Sequence, residues 1–145
     1  MNSSKLLAIT GLGMFLAFSS LAHAGKTLFA QIGESRLRRT VDSFVEVMLA
    51  DERINFAFAN TDLLIFKSRL YDQLCDLTDG PCTYKGRNMF EAHKKLDVTN
   101  AQFNALAEDL YKAFDMQKVP YRVQNKVMKL LAPMQEDIVK RHPEK

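Results

Sequence analysis

The sequence contains few of the residues that bind metal ions. Among its 145 residues there are only three histidines and two cysteines. His23 lies in an apolar N-terminal stretch and His142 in the polar tail 140–145, so His93 is the only histidine in the body of the chain. A zinc site built from protein side chains needs three or four ligands. The supply of histidine and cysteine is too small for such a site.

Residues that interrupt helices are also scarce. Four prolines and six glycines leave room for long helices, and no stretch alternates between apolar and polar residues with the period of two that marks a strand. The composition, 47% hydrophobic and 26% charged, is ordinary for a soluble globular domain. We therefore predict one all-α domain. The net charge of +3 is small, and no basic stripe interleaves with aromatic residues, so nucleic acid is not an expected partner.

Residues 1–24 have the organisation of a secretory signal peptide. Met1–Lys5 is a short basic start, Leu6–Leu21 is an uncharged apolar run, and Ala22-His23-Ala24 is a small-x-small cleavage site. We expect cleavage after Ala24, a mature domain of residues 25–145, and export to the periplasm without stable membrane insertion. The alternative is a retained anchor, although the run is short for a membrane span and is broken by glycine and serine.

The two cysteines, Cys75 and Cys82, are separated by six residues that include a predicted loop. In an oxidising compartment they are close enough in sequence to form a disulfide. The alternative is two separate thiols, with Cys75 packed in the core. There is no C-x-x-C-H motif, so covalent attachment of haem is not indicated.

Apolar residues recur at helical spacing in four long segments. The first segment opens at Glu34 or Ser35, the second is capped by Thr61 or Asp62, and the third opens with the capping box of Thr99 and Gln102. The fourth starts with Pro120 in its first turn and is predicted to continue to Ile138 despite Pro133. The apolar stripes of the four helices are Leu37, Val41, Phe44, Val45 and Met48; Leu63, Phe66, Leu70, Leu74 and Leu77; Phe103, Leu106, Ala107, Leu110 and Phe114; and Val123, Val127, Leu130, Met134 and Ile138.

A short helix over about Arg87–Leu96 is predicted to carry His93. Met89, His93 and Leu96 fall at i, i+4 and i+7, so they share one helical face. An imidazole among apolar neighbours needs a hydrogen-bond partner or a metal. Haem iron needs only one protein histidine, because the porphyrin supplies four nitrogens. The simpler alternative is a hydrogen-bonded core histidine.

From Phe29 to Val139 the chain resembles a group I truncated haemoglobin. The stretches that carry the resemblance occur in the family's order: Ile32-Gly33, Val41-Asp42-Ser43-Phe44, Leu49-Ala50-Asp51, Phe58-Ala59-Asn60-Thr61, Gly80-Pro81, Tyr84-Lys85-Gly86-Arg87, Met89-Phe90-Glu91-Ala92-His93, Val98-Thr99 and Leu131-Ala132-Pro133. The resemblance implies a two-over-two helical sandwich around non-covalent haem b. It also implies reversible binding of small gases such as O2, CO and NO at the iron.

The resemblance further implies roles for individual residues around the haem. His93 matches the proximal iron ligand, the one metal-binding residue, and Met89 lies on its helical face. Phe58 matches the phenylalanine that stacks against the porphyrin. Tyr84 and Arg69 match positions near the haem edge, where side chains meet the propionates.

On the side of the iron that binds the gas, the resemblance assigns Phe44 to the inner pocket and Phe66 and Leu70 to the facing helix. Val45 stands where the family commonly has a tyrosine, and Phe66 and Leu70 stand where it often has glutamine. Bound O2 is held by a hydrogen-bond donor, and a charge-assisted bond contributes about 1.5–3 kcal/mol. Its loss weakens binding roughly tenfold to a hundredfold. We therefore predict an apolar distal pocket that releases O2 rapidly, with a smaller effect on CO.

Three polar side chains remain as alternative distal groups. Gln73 follows Phe66 by seven positions and lies near the same face, whereas Tyr71 follows Leu70 and points about 100° away. Lys67 is a candidate iron ligand at the cost of desolvating its amine. The glycines usual after the proximal histidine are replaced by Lys94 and Asp97, so we expect a longer or stiffer helix there. The family's paired glycines also become Gly33-Glu34 and Asp79-Gly80.

The resemblance does not specify the physiological function. An apolar pocket argues against efficient O2 activation, so we do not expect an enzyme, although a side activity resembling NO dioxygenation or peroxidation is conceivable. A redox partner and a role in electron transfer are further alternatives. An exported, haem-free helical adaptor, in which His93 only packs, would show the same apolar stripes.

Overall fold

The computed structural model describes residues 25–139, which form an all-α domain without strands in that range. The helices are α1 (Leu28–Ile32), α2 (Glu34–Ala50), α3 (Leu63–Leu77), α4 (Met89–His93), α5 (Asn100–Met116), α6 (Tyr121–Leu131) and α7 (Gln135–Ile138). Two 3-10 turns, Asn55–Phe58 and Ala132–Met134, connect them. The all-α prediction is confirmed, while the predicted leader (1–24) and polar tail (140–145) lie outside the described residues.

Helix α2 is at the centre of the fold. It packs against α1, α3 and α5, and α5 in turn packs against α6. The pairs α2–α3 and α5–α6 are thus the two layers of the predicted sandwich. Leu37 and Met48 of α2 and Phe114 of α5 are completely buried where the layers meet. The short α4 lies apart from this core and packs against α7.

Two of the predicted helix starts, those of α3 and α5, are confirmed by side-chain capping bonds. The Asp62 carboxylate accepts hydrogen bonds from the backbone N–H groups of Leu64 and Ile65 at 3.0 and 3.1 Å. At α5, the Thr99 hydroxyl accepts from Gln102 N–H at 3.2 Å, and the Gln102 side chain accepts from Thr99 N–H at 2.9 Å. Each bond satisfies a backbone donor that has no partner within its own helix.

The last predicted helix is interrupted. Pro120 precedes the first helical residue, Tyr121, and α6 ends at Leu131. The chain then forms a 3-10 turn with Pro133 inside it before α7 begins. The prediction of one helix to Ile138 was wrong, because a proline has no N–H and its ring clashes with the preceding turn.

Two of the long helices end in a Schellman motif without glycine at its left-handed position. After α3, Asp79 has φ 58°, and Gly80 N–H donates to the Cys75 carbonyl. After α5, Lys118 has φ 54°, and Val119 N–H donates to the Phe114 carbonyl. Asp79 stands where the family has a glycine, and aspartate is among the residues that tolerate this conformation.

A disulfide joins Cys75 at the end of α3 to Cys82 in the following loop, with 5.7 Å between their Cα atoms. The structure therefore contains the disulfide, and the alternative of two separate thiols is wrong. Gly80 lies inside this loop, and a Cβ there would approach Cys75 and the Phe29 ring to 2.7 Å. No side chain fits at that position.

Among residues 25–139, no helix is long and apolar enough to cross a membrane.

Candidate functional site

Helix α3 buries one side and leaves a second apolar side half-covered. Tyr71, Leu74 and Cys75 are its buried residues, whereas Phe66 and Leu70 are only half-buried. Of the apolar stripe predicted for this helix, Leu74 is buried, and Leu63, Phe66, Leu70 and Leu77 are half-buried. The half-covered side supplies an apolar wall that packs against the core and is partly open to solvent.

Aromatic and aliphatic side chains from three elements extend this wall. The rings of Phe58 and Phe66 lie 5.5 Å apart at an angle of 58°. Phe44 and Val45 of α2 are buried in the core against which Phe58, Phe66 and Leu70 pack. Five of the residues that the resemblance assigned to the pocket therefore belong to one hydrophobic cluster. This apolar surface suits the faces of a porphyrin.

His93 is half-buried at the end of α4 and has one ring nitrogen engaged. Its Nδ1 lies 2.7 Å from the Met89 carbonyl oxygen. A carbonyl only accepts, so the proton is on Nδ1 and the Nε2 lone pair is left for a metal. Hydrogen bonding of the second ring nitrogen is the usual arrangement in metal-bound histidines. The donor set of one neutral imidazole therefore fits haem iron.

Helix α4 is shorter than predicted. It begins after its cap Asn88, whose side chain accepts from Glu91 N–H at 2.8 Å, and it ends at His93. Asp97 then takes φ 47°, the left-handed conformation of a glycine. The expectation of a longer helix was wrong, because an aspartate can substitute for glycine there. Leu96, predicted to share the buried face, is 50% exposed.

The two residues assigned to the haem edge have different surroundings. The Tyr84 hydroxyl donates to the Arg87 carbonyl at 2.8 Å, and its ring covers Gly86 so closely that a side chain there would clash. Tyr84 thus shapes the loop before α4, and its hydroxyl proton is already used. Arg69 is exposed and makes no ion pair within residues 25–139.

A group of cations beside α4 was missed by the sequence analysis. Arg87, Lys94 and Lys95 line an open cavity of about 450 Å³, together with Glu91, Ala92 and Leu96. Lys94 pairs with Glu91 at 2.5 Å, which leaves Arg87 and Lys95 as the cations of this cavity without an ion pair in the described part of the chain. Their position on both sides of His93 in the sequence was the available signal.

The three polar candidates for the distal side are all engaged elsewhere. The Lys67 ammonium pairs with Asp42 at 2.8 Å. Tyr71 is buried beneath the Arg38 guanidinium, 4.0 Å from the ring centroid, and burial raises the pKa of its hydroxyl. The Gln73 amide donates to the Met89 and Met134 sulfurs. None of them supplies a donor beside Phe66 and Leu70 in this arrangement.

The described residues contain no group of three or more histidine, cysteine or acidic side chains able to hold a metal ion. The one coordinating group that the site offers is His93.

Comparisons with known proteins identify the family of this chain. Residues 27–140 match the family model of the bacterial-like globins. The group 1 truncated hemoglobin of Tetrahymena pyriformis is 33% identical over 115 residues, 79% of this chain and 95% of the relative. That of Tetrahymena thermophila is 36% identical over 85 residues, 58% of this chain and 70% of the relative.

A solved structure agrees as well. The crystal structure of the Tetrahymena pyriformis truncated hemoglobin in its Fe(III) form superposes with a TM-score of 0.77 at 32% identity, covering 80% of this chain and all of that one. The family model, the relatives and the solved structure point to the same family. The chain belongs to the bacterial-like globins and, among them, to the group 1 truncated hemoglobins.

Proposed function

We propose that this protein holds haem b without a covalent bond, through His93, and binds a small diatomic gas at the iron in an apolar pocket that retains O2 weakly. Membership of the globin family supports haem binding and diatomic ligand binding in general. The observation that carries the proposal is the 2.7 Å bond from Nδ1 of His93 to the Met89 carbonyl. It leaves Nε2 of the imidazole free to bind iron.

When bound, haem supplies an iron atom with an open coordination position for the gas. The chain's own residues orient and enclose it. His93 is held in a single tautomer by Met89, and Phe58 and Phe66 present ring faces and edges to an apolar cofactor. Val45 and Leu70 exclude water from the gas side. Such an arrangement favours reversible binding over polarisation of the ligand.

Haem carries two propionates, and the cations beside α4 match their charge. Arg87 and Lys95 are the candidates, with Arg69 as the residue chosen from the sequence. Exposed ion pairs contribute only about 0.2–1 kcal/mol each. We expect Arg87→Gln to speed haem loss about twofold to fivefold. Haem transfer to an acceptor protein measures this. Arg69→Gln is the matched control, and a larger effect from it would reverse the assignment.

The visible spectrum tests the iron ligand. Purified protein grown with ample haem is expected to show a Soret band. His93→Ala should lose that band or shift it to that of haem without a histidine ligand, whereas His142→Ala should leave it unchanged. A colourless wild-type protein would contradict the proposal and support the haem-free adaptor.

The distal pocket is tested by installing the missing donor. Leu70→Gln places an amide beside the gas, so O2 affinity should rise about tenfold or more while CO affinity changes less. Laser photolysis with O2 and CO gives both constants. Leu64→Gln, on the same helix at a side chain that is 82% exposed, is the matched control. A wild-type ratio of CO to O2 affinity equal to that of the Leu70→Gln variant would contradict the apolar pocket.

We also propose that the protein is exported to the periplasm. The signal-peptide pattern of residues 1–24 supports this, and so does the disulfide, because such bonds persist in oxidising compartments. Fractionation of the source cells, with the N-terminus of the mature chain sequenced, tests it. Recovery of the protein with Met1 in the cytoplasm would contradict export.

A further inference from the structure

We propose that Gln73 is a positioning residue for the iron ligand: its side-chain amide ties α3 to the start of α4 and so fixes where His93 stands. The inference rests on the proposed function, since it takes His93 as the ligand. It also differs from the alternative given above, in which Gln73 serves the gas side of the haem.

The contacts of Gln73 cross between elements that are far apart in the sequence. Its Nε2 lies 3.4 Å from the Met89 sulfur, at the first residue of α4. The same nitrogen lies 3.8 Å from the Met134 sulfur, in the 3-10 turn before α7. A primary amide has two N–H groups and a thioether is a weak acceptor, so one side chain serves both sulfurs. All three residues are partly buried.

Helix α4 depends on such contacts for its position. It has five residues, little more than one turn, and a helix this short has no stability of its own. Its packing partner is α7. Gln73 adds a link on the other side, to the wall that carries Phe66 and Leu70. Without that link, α4 would keep its packing against α7 but would lose this bond to α3.

Met89 connects the Gln73 contact to the histidine. Its sulfur accepts from Gln73, and its carbonyl accepts from Nδ1 of His93 at 2.7 Å. A shift of Met89 therefore moves the carbonyl that orients the imidazole and changes the direction of the ring. Second ligand-sphere contacts of this kind set the orientation and basicity of a metal-bound histidine.

The spectroscopic test uses three variants of the loaded protein. Gln73→Leu removes the donor, Met89→Leu removes the sulfur but keeps the carbonyl, and the third variant carries both changes. Each single change should shift or broaden the iron–histidine stretching band in resonance Raman spectra of the ferrous form. Haem loss to an acceptor protein should accelerate about threefold to tenfold, the range that one neutral hydrogen bond controls.

A comparison of the single and double variants distinguishes loss of the Gln73–Met89 contact from general destabilisation of the protein. The double variant should lose haem no faster than the more affected single variant, because both changes remove the same contact. Met128→Leu is the matched control, a partly buried methionine of α6 without a bond to Gln73. Its effect should be small and should add to that of Gln73→Leu.

A second measurement does not require the bound haem. In the haem-free full chain, the amides of Ala92 and Lys94 report on α4, since they donate to the Asn88 and Phe90 carbonyls. Gln73→Leu should speed their hydrogen exchange more than that of α5 amides. An equal change throughout the chain would indicate general destabilisation and overturn the inference.

The outcomes that overturn the inference are distinct from those that overturn the proposed function. An unchanged iron–histidine band and unchanged haem loss in Gln73→Leu, with His93 still required for the Soret band, overturn the inference alone. Faster O2 release with an unchanged band would make Gln73 a distal donor, which also overturns it. If His93→Ala keeps the native spectrum, the proposed function fails and the inference fails with it.

Discussion

Lys118 is held in a backbone conformation that its side chain disfavours. It occupies the left-handed position of the Schellman motif after α5, with φ 54°. An L-residue with a Cβ is destabilised there by roughly 1–2 kcal/mol. Glycine avoids this steric cost but loses more conformational entropy on folding, which offsets part of the gain. We expect Lys118→Gly to stabilise the protein by about 1 kcal/mol, measured by urea unfolding.

The control for this prediction is a lysine in ordinary helical conformation. Lys126 is exposed inside α6, where glycine costs about 1 kcal/mol relative to a good helix former. Lys126→Gly should therefore destabilise the protein. Equal signs for the two substitutions would contradict the argument from backbone conformation.

Single residues also mark the limit of what the sequence reveals. Asp62, Thr99 and Gln102 were predictable as caps because their bonds join residues two or three positions apart. The bonds of Lys67 to Asp42 and of Gln73 to Met89 span 25 and 16 positions. Such partners depend on how helices pack, which no local pattern encodes. The sequence therefore predicted the polar candidates of the pocket but not where they point.

At the level of the element, α3 shows how a cap supports a binding wall. Asp62 is its only side-chain cap, and the first turn continues into Phe66. Replacement of such a cap by alanine costs about 1 kcal/mol. Asp62→Ala should lower the free energy of unfolding by that amount, whereas Ser68→Ala, at an exposed position of the same helix, should be neutral or slightly stabilising. A neutral Asp62→Ala in denaturant titrations would show that packing alone holds the helix end.

The junction between α2 and α5 predicts a response to acid. Arg53 donates to Asp51 at 2.6 Å and to Glu108 at 2.8 Å. Hydrogen bonds from Arg53 hold the pKa of the Asp51 carboxyl well below its ordinary value. The stabilisation is therefore complete above the unfolded pKa of about 3.9 and is lost as the pH falls below it.

This dependence can be isolated by substitution. The wild-type protein should lose unfolding free energy more steeply between pH 5 and pH 2 than Asp51→Asn, which has no carboxyl to protonate. Arg53→Gln should show the same shallower slope, because it removes the partner. Parallel profiles for all three proteins would contradict the role of this junction.

Element lengths were predicted best where a cap and a stop signal agree. Helices α3 and α5 start at the predicted residues because their capping side chains lie directly before the first turn. Helix α2 also starts at the predicted Glu34, after Gly33 and without a side-chain cap. The length of α4 was overestimated, because aspartate at position 97 is not a common signal for the end of a helix, yet Asp97 adopts φ 47°. The effect of Pro133 on the last helix was underestimated. The apolar spacing continues past it to Met134 and Ile138, but the chain there does not form a single helix.

For the molecule as a whole, the disulfide is the largest single contribution that can be removed cleanly. The bond from Cys75 to Cys82 closes a loop with a sequence separation of 7. Loop-closure entropy for a ring of this size amounts to about 2.5 kcal/mol. The double variant Cys75→Ala with Cys82→Ala should lose about that much stability in urea unfolding. A reductant should destabilise the wild type and leave the double variant unchanged, and equal stability without reductant would contradict the prediction.

The same bond limits how far the two sides of the haem cleft can separate. With the ring closed, only residues 83–88 connect the bridged end of α3 to α4. Six residues span at most about 20 Å, and the eleven residues 78–88 of the reduced chain span nearly twice that. A short tether keeps the local concentration of a detached imidazole high around the iron. If His93 is the iron ligand, as proposed, its recapture after each dissociation would thus be favoured over escape of the cofactor for as long as the cysteines stay oxidised.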